Sequence, residues 1–275
     1  VMCQNDSNYA SLEGQLKDLT PGSIPHPASG EKIDYPFASM KAYVKVADAL
    51  TFSKDMTEAI DHFLDSLAQA HGMPEDLMKN STAFGEKVGQ AIINWSKKDN
   101  YAETRSAPKY TVTGTDSTWV PTPPAYFQAV EPEWKTIRTL ALGNPATFGP
   151  PLPIIHYDRT PGSTYEKLLQ QVYDSSKVLT DSQRAIANFW DCNGFKMNLV
   201  GHVMYATKAM TPGDHWMGIT GIIAKNKKAD FDKTVYTYTA TSFGIMDAFI
   251  FCWYAKYTYN LVRPETVINK YMDPN

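Results

Sequence analysis

Cysteine is scarce in this chain. Cys3, Cys192 and Cys252 are its three cysteines among 275 residues, and an odd number so widely spaced supports neither a disulfide framework nor a C-x-x-C metal or redox site. Cys192 and Cys252 read as small buried hydrophobes. No run of basic residues occurs, and 26 basic against 29 acidic side chains leave a formal charge of −3, which excludes the electrostatic footprint of a nucleic-acid binder. Long hydrophobic runs are also missing. The most apolar window, "SFGIMDAFIFCWYA", is interrupted by Asp247 and falls short of the roughly 20 residues that a membrane span needs, so it reads as a buried core helix. Nucleotide-binding glycine loops, H-E-x-x-H and G-x-S-x-G are absent. The six histidines do not cluster, and a zinc site at His202 and His215 lacks partner ligands.

What is present is enough apolar residue for a substantial core, 43% of the chain. Residues 1–35 are polar and turn-rich and read as a flexible arm. Their start, "VMCQNDSNYASLEGQ", also resembles the mature end of a bacterial lipoprotein, with Cys3 as the lipidated residue and an extracytoplasmic, periplasmic or membrane-anchored location. Residues 36–275 form the expected helical domain. Met56, Ile60, Phe63, Leu64 and Leu67 follow a helical period and predict one buried face. Phe84, Val88, Ile92 and Trp95 repeat that logic, and Gly85 and Gly89 between them predict close helix packing.

From 101 to 161 the chain is dense in proline and aromatic residues, which excludes long helices. Trp119, Tyr126, Phe127 and Trp134 favour a strap packed over a core. Helices resume after two capping-box signatures, Ser163–Glu166 and Thr180–Gln183. A proline-marked helix follows at "TPGDHWMGITGIIAKNKK", and a long one runs from about Lys233 to Tyr259. "KTVYTYTATSF" is β-branched and locally ambiguous, and no segment reads as a run of strands. The fold class is all-α, a helical bundle with a long irregular strap.

Chemistry is concentrated in "KYTYNLVRPET", where Lys256 and Arg263 stand seven residues apart. If the helix continued to Arg263, both side chains would leave one face roughly 10 Å apart along the axis. Pro264 disfavours helical geometry at Arg263 and places it at a helix end. A lysine point charge and an arginine fork converging on one place suit a tetrahedral oxyanion. Spacing alone favours a plainer arrangement, with Lys256 lying along the surface and Arg263 paired with Glu265.

The phrase Lys256, six residues, Arg263, Pro264 resembles the first signature motif of the vanadium-dependent haloperoxidase and phosphatidic-acid-phosphatase-like superfamily. "WVPTPPAYFQAVEPEWKTIRTLAL", "LTDSQRAIANFWDCNGF" and "PGDHW" resemble its bacterial haloperoxidase-like branch in order, with Asp214 inserted before His215. The resemblance implies that Lys256 and Arg263 hold oxygens of vanadate, or of phosphate in a phosphatase. Asp247 and His215 are candidates for a supporting layer behind them. The family's Pro-Ser-Gly-His and Ser-Arg…His motifs do not occur in this sequence, so no catalytic residue and no metal ligand is assigned. The chain therefore resembles the first part of a longer enzyme. Halide and peroxide, or a phosphate ester, would be its substrates. Missing C-terminal polypeptide or a companion chain would complete it, and a homo-oligomer is a further expected arrangement. The alternative is a non-catalytic helical binding or scaffold domain that keeps the oxyanion site.

Overall fold

Asp34 starts the first helix by accepting the Phe37 N–H on its carboxylate at 2.9 Å, with Pro36 in the first turn. Helix α1 then runs Tyr35–Leu50, α2 Lys54–Ala70 and α3 Glu75–Ser96. The structure, a computed structural model, describes residues 1–149, 155–194, 196–207 and 210–273. Residues 150–154 of the expected strap, residue 195 and the last two residues of "YMDPN" lie outside them. The chain divides into two units. The first comprises Val1–Arg105, Ile137–Leu142 and Lys227–Thr239, and the second the remainder.

In the first unit α1 and α3 pack at backbone distance because Gly85 and Gly89 carry no side chain. A Cβ on Gly85 would lie 2.3 Å from the Ala38 carbonyl oxygen, and one on Gly89 2.9 Å from Lys45 Cβ. Close packing, the expectation for this G-x-x-x-G, is what the helices do. Ala38, Phe84 and Val88 form the core beside the contact, while Ile93 and not Ile92 is buried further along α3. Helix α2 departs from expectation. Of its five stripe residues only Leu64 is buried, and Met56 and Phe63 are each 64% exposed. The buried line is instead Thr57, Leu64 and Ala68, the expected stripe moved on by one position and so turned by about 100°.

Lys41 on α1 sets that rotation. Its ammonium, 4% exposed, lies 2.7 Å from Asp61 Oδ1 and 2.6 Å from Asp65 Oδ1 on α2. Burial alone would lower the Lys41 pKa, but the hydrogen bonds its ammonium donates to Asp61 and Asp65 outweigh it and raise the value. A raised lysine pKa contributes stability that is whole below the ordinary lysine range and is lost as pH climbs through the folded value. Lys41→Met should cost about 1–3 kcal/mol, below the figure for a fully buried pair because both aspartates reach solvent. Urea denaturation at pH 7 measures it, and the gap between wild type and variant should narrow at strongly alkaline pH.

Residues 1–35 are expected as a flexible arm, but 1–34 form a packed layer of turns in this unit and Tyr35 opens α1. Met2, Leu16 and Leu19 are buried, the Lys17 N–H donates to the Leu140 carbonyl at 2.9 Å, and Trp95 Nε1 donates to the Lys17 carbonyl at 2.9 Å. Cys3 sits half-buried with a free thiol in the 3-10 turn Met2–Gln4. A short helix, α4 at Tyr101–Thr104, precedes the second unit.

There the described residues of the strap are irregular apart from 3-10 turns at Pro132–Thr136 and Pro145–Thr147. Tyr126 is 64% exposed, so not every strap aromatic packs. Helices α5, Thr164–Lys177, and α6, Asp181–Phe189, begin where the caps predict. The Thr180–Gln183 box is complete, whereas Glu166 returns to the Gly162 N–H, one residue short of the Ser163 box. A β-hairpin follows that the sequence reading missed. Strands β1, Lys196–Val200, and β2, Val203–Thr207, pair antiparallel with Val200 opposite Val203. Gly201 at φ +59° opens the two-residue turn, a position glycine fills without strain.

Helix α7, Pro212–Asn226, starts at a reciprocal pair. The Thr211 hydroxyl donates to Asp214 Oδ2 at 2.7 Å and accepts the Asp214 N–H at 3.2 Å, so the inserted aspartate closes a cap. Helix α8 spans Phe231–Tyr259 and includes the ambiguous β-branched stretch. It is not buried all round: Asp247 and Ile250 are its buried residues. Among the described residues no helix is long and apolar enough to cross a membrane. Helix α9, Pro264–Tyr271, meets α5 through a core of Tyr165, Leu169, Val262 and Val267.

Candidate functional site

Helix α8 stops at Tyr259 because Asn260 turns left-handed, at φ +46°, a conformation asparagine tolerates at a helix end. The next residues bind the strap. Leu261 bridges Thr118, Trp119 N–H donates to the Asn260 carbonyl at 3.2 Å, and Val262 N–H donates to the Ser117 carbonyl at 3.0 Å. Arg263 then caps α9 with extended backbone, φ −72° and ψ 144°, ahead of Pro264. The uninterrupted helix that would carry Lys256 and Arg263 on one face therefore does not form. Both residues nevertheless line one cavity of about 300 Å³, walled by Trp119, Phe127, Tyr257 and Leu261.

Among the described residues neither cation takes part in an ion pair, Glu265 included. Lys256 is exposed as a residue, but its Nζ lies 4.9 Å from the Trp253 ring centre and 5.7 Å from that of Tyr257. Burial of this end, and then the charge of Arg263, lower the Lys256 pKa. Arg263 thus acts on Lys256 as a like charge within range. Two cations held together without a carboxylate carry an electrostatic cost that an anion would relieve.

The wall is held by hydrogen bonds that converge on one carbonyl. Trp253 Nε1 at 3.1 Å and the Tyr257 hydroxyl at 2.6 Å both donate to Val130 O. Burial, and next Tyr110, push the Tyr257 pKa up to about 12, so the hydroxyl keeps its proton and remains a donor. Asp116 fixes the other end, accepting from Lys270 at 2.7 Å and from the Tyr271 hydroxyl at 2.8 Å. Tyr257→Phe should destabilise the protein by about 1 kcal/mol, the worth of one hydrogen bond. Trp253 keeps the carbonyl satisfied in that variant, so the folded fluorescence spectrum should be retained while the urea midpoint falls.

The other candidates are not brought to this cavity. Asp247 is 2% exposed in the middle of α8 and is not among the lining residues. His215 is on α7, stacked on Trp190 at 4.7 Å, and also lines no part of it. Cys192 is half-buried and Cys252 exposed, contrary to their expected burial. Sequence reading missed Trp253 and the Val130 carbonyl. Trp253 had a signal, since three residues before Lys256 puts it on the same helix face. A backbone carbonyl from a distant strap residue had none. Among the described residues no group of three or more His, Cys, Asp or Glu side chains assembles as a metal site. The cavity's charged groups are cationic and fit an oxyanion.

Comparison with known proteins gives the family. The family model for the VCPO second helical-bundle domain matches residues 236–275, the segment that carries both cations. No curated protein matches the chain. A solved structure described as the first bacterial vanadium-dependent iodoperoxidase is 40% identical, with a TM-score of 0.86. The match covers 99% of this chain and 64% of that one, so the chain spans less than two thirds of its relative. A helical fold shared over nearly its whole length, together with the Lys256-to-Pro264 motif in its matched segment, places this chain in the vanadium haloperoxidase-like superfamily.

Proposed function

We propose that Lys256 and Arg263 form part of a vanadate-binding cradle in a protein that oxidises halide with hydrogen peroxide. The observation that carries this reading is two cations lining one cavity without carboxylate partners among the described residues. Likeness to an iodoperoxidase supports the halide side over phosphate-ester hydrolysis, which needs the same cradle. Vanadate, when bound, supplies the centre that makes peroxide oxygen reactive toward halide. The chain's own residues neutralise and orient the anion: the guanidinium offers paired donors, the ammonium a point charge, and Trp119 and Tyr257 limit access of water.

Among the described residues no histidine lines the cavity. The acid–base and anion-ligating histidines would come from further polypeptide, as continuation or as a companion chain. Exposed apolar residues such as Leu168, Val172, Ile222 and Ile223 support such a partner. The same histidine-free lining favours the second reading, an oxyanion-binding domain without catalysis. Titrating the 275-residue chain with orthovanadate by vanadium NMR tests the cradle: broadening reversed by excess phosphate is expected, and a spectrum unchanged by protein rejects it. Vanadate-dependent iodide oxidation after adding the remaining polypeptide separates enzyme from binder. Phosphatase activity alone would move the reading to hydrolysis.

A further inference from the structure

Away from this cavity the second unit joins a thiol to an imidazole. Cys192 Sγ lies 3.0 Å from His215 Nδ1, 23 positions apart in sequence with a hairpin in the loop between them. The imidazole is held on three sides. It stacks on Trp190 at 4.7 Å and 21°, meets the edge of Phe189 at 5.0 Å, and faces the sulfur through Nδ1; the main-chain N–H of His215 separately donates to the Thr211 carbonyl at 3.0 Å. Thr211 and Asp214 lock the helix start that carries it. The ring therefore cannot swing away from the sulfur without losing its indole stack. Cys192 is only partly buried, next to exposed Asp191, which leaves the sulfur open to a small reagent. A thiol whose role is packing alone sits in apolar surroundings and needs no oriented base.

We infer that Cys192 is a peroxide-reactive thiol with His215 as its base, a modification site separate from the Lys256–Arg263 cavity. The Sγ proton passes to Nδ1, and the thiolate attacks one oxygen of hydrogen peroxide or a small hydroperoxide. A sulfur–oxygen bond forms as the oxygen–oxygen bond breaks. Sulfur is oxidised to sulfenic acid, and the peroxide is reduced to hydroxide, or alkoxide for a hydroperoxide, which takes the proton back from the imidazolium. Neither residue lines the oxyanion cavity, so the inference stands or falls independently of vanadate binding.

The test is sulfenic-acid trapping with dimedone after brief exposure to hydrogen peroxide, followed by peptide mass spectrometry. In the folded wild-type chain Cys192 should be labelled faster than Cys252, which is exposed, and the difference should vanish in urea. His215→Phe keeps an aromatic plane over Trp190 but removes the base. It should lower the Cys192 labelling rate at least tenfold and leave Cys252 unchanged. Equal Cys192 and Cys252 rates in the folded wild type would overturn the inference. So would an unaltered Cys192 rate in a folded His215→Phe variant. Should that variant not fold, the wild-type comparison of folded with unfolded chain decides the matter.

Discussion

Gly85→Ala is expected to destabilise the first unit, although alanine favours helix over glycine by about 1 kcal/mol. The added Cβ would stand 2.3 Å from the Ala38 carbonyl oxygen and 3.0 Å from Lys41 Cβ. Backbone cannot rotate aside as a side chain can, so α1 and α3 must part. Ala38, Phe84 and Val88 then lose contact together, and overpacking of this kind costs about 1–3 kcal/mol or more. A net loss of about 2 kcal/mol should remain after the helix-propensity gain. Gly218→Ala provides the opposite case. Its Cβ would meet nothing within 4 Å inside α7, and stability should rise by about 0.5–1 kcal/mol. Thermal unfolding of the two variants should show shifts of opposite sign. Equal shifts would mean that the α1–α3 contact is not as close as described.

Lys256→Ala and Arg263→Ala should each weaken oxyanion binding by about 1.5–3 kcal/mol, tenfold or more, as for loss of a charged hydrogen-bond donor. Isothermal titration with phosphate or vanadate reads the loss. Unchanged affinity in both variants sinks the cradle. The pH dependence follows from the lowered Lys256 pKa, caused by burial and then by Arg263. Binding needs the ammonium, so affinity should fade on the alkaline side at a pH below the ordinary lysine range. Stability runs the other way. Between the folded value and the unfolded one the unfolded chain holds more protons, so anion-free stability rises with pH in that window. Removing this charge should therefore leave the anion-free protein as stable as before, or more so, while reducing the anion's stabilising effect at a given anion concentration. A lysine in a structural ion pair would lose both.

Much of the helical framework was legible in sequence because local chemistry decides it. Gly85 and Gly89 predict close approach since nothing else fits there, and Thr180 with Gln183 predicts a helix start because the two satisfy each other's amides. Pro264 placed Arg263 at a helix end for the same reason. The α2 stripe was misplaced by one residue. Periodicity gives the pitch of a face, but Lys41 with Asp61 and Asp65 set which way it turns. Asp214 read as an interruption before His215 and is in fact the cap of α7. The hairpin was missed because its strands, with Leu199, Val200 and Val203 exposed, lack the alternation of a half-buried sheet.

The sequence by itself determined that this is a helical protein with a proline-rich strap, and that Lys256 and Arg263 belong to one chemical phrase. Caps, prolines and glycines carry the first because they act within a few residues; the second rests on the resemblance of Lys256, six residues, Arg263 and Pro264 to a family motif, since spacing alone favours a plainer arrangement. Only the tertiary structure decided how the two cations meet. The helix between them ends at Asn260, and strap residues 117–119 hold the following turn through backbone hydrogen bonds. A backbone bond from more than a hundred residues away is indifferent to side-chain identity, so no pattern in the sequence announces it.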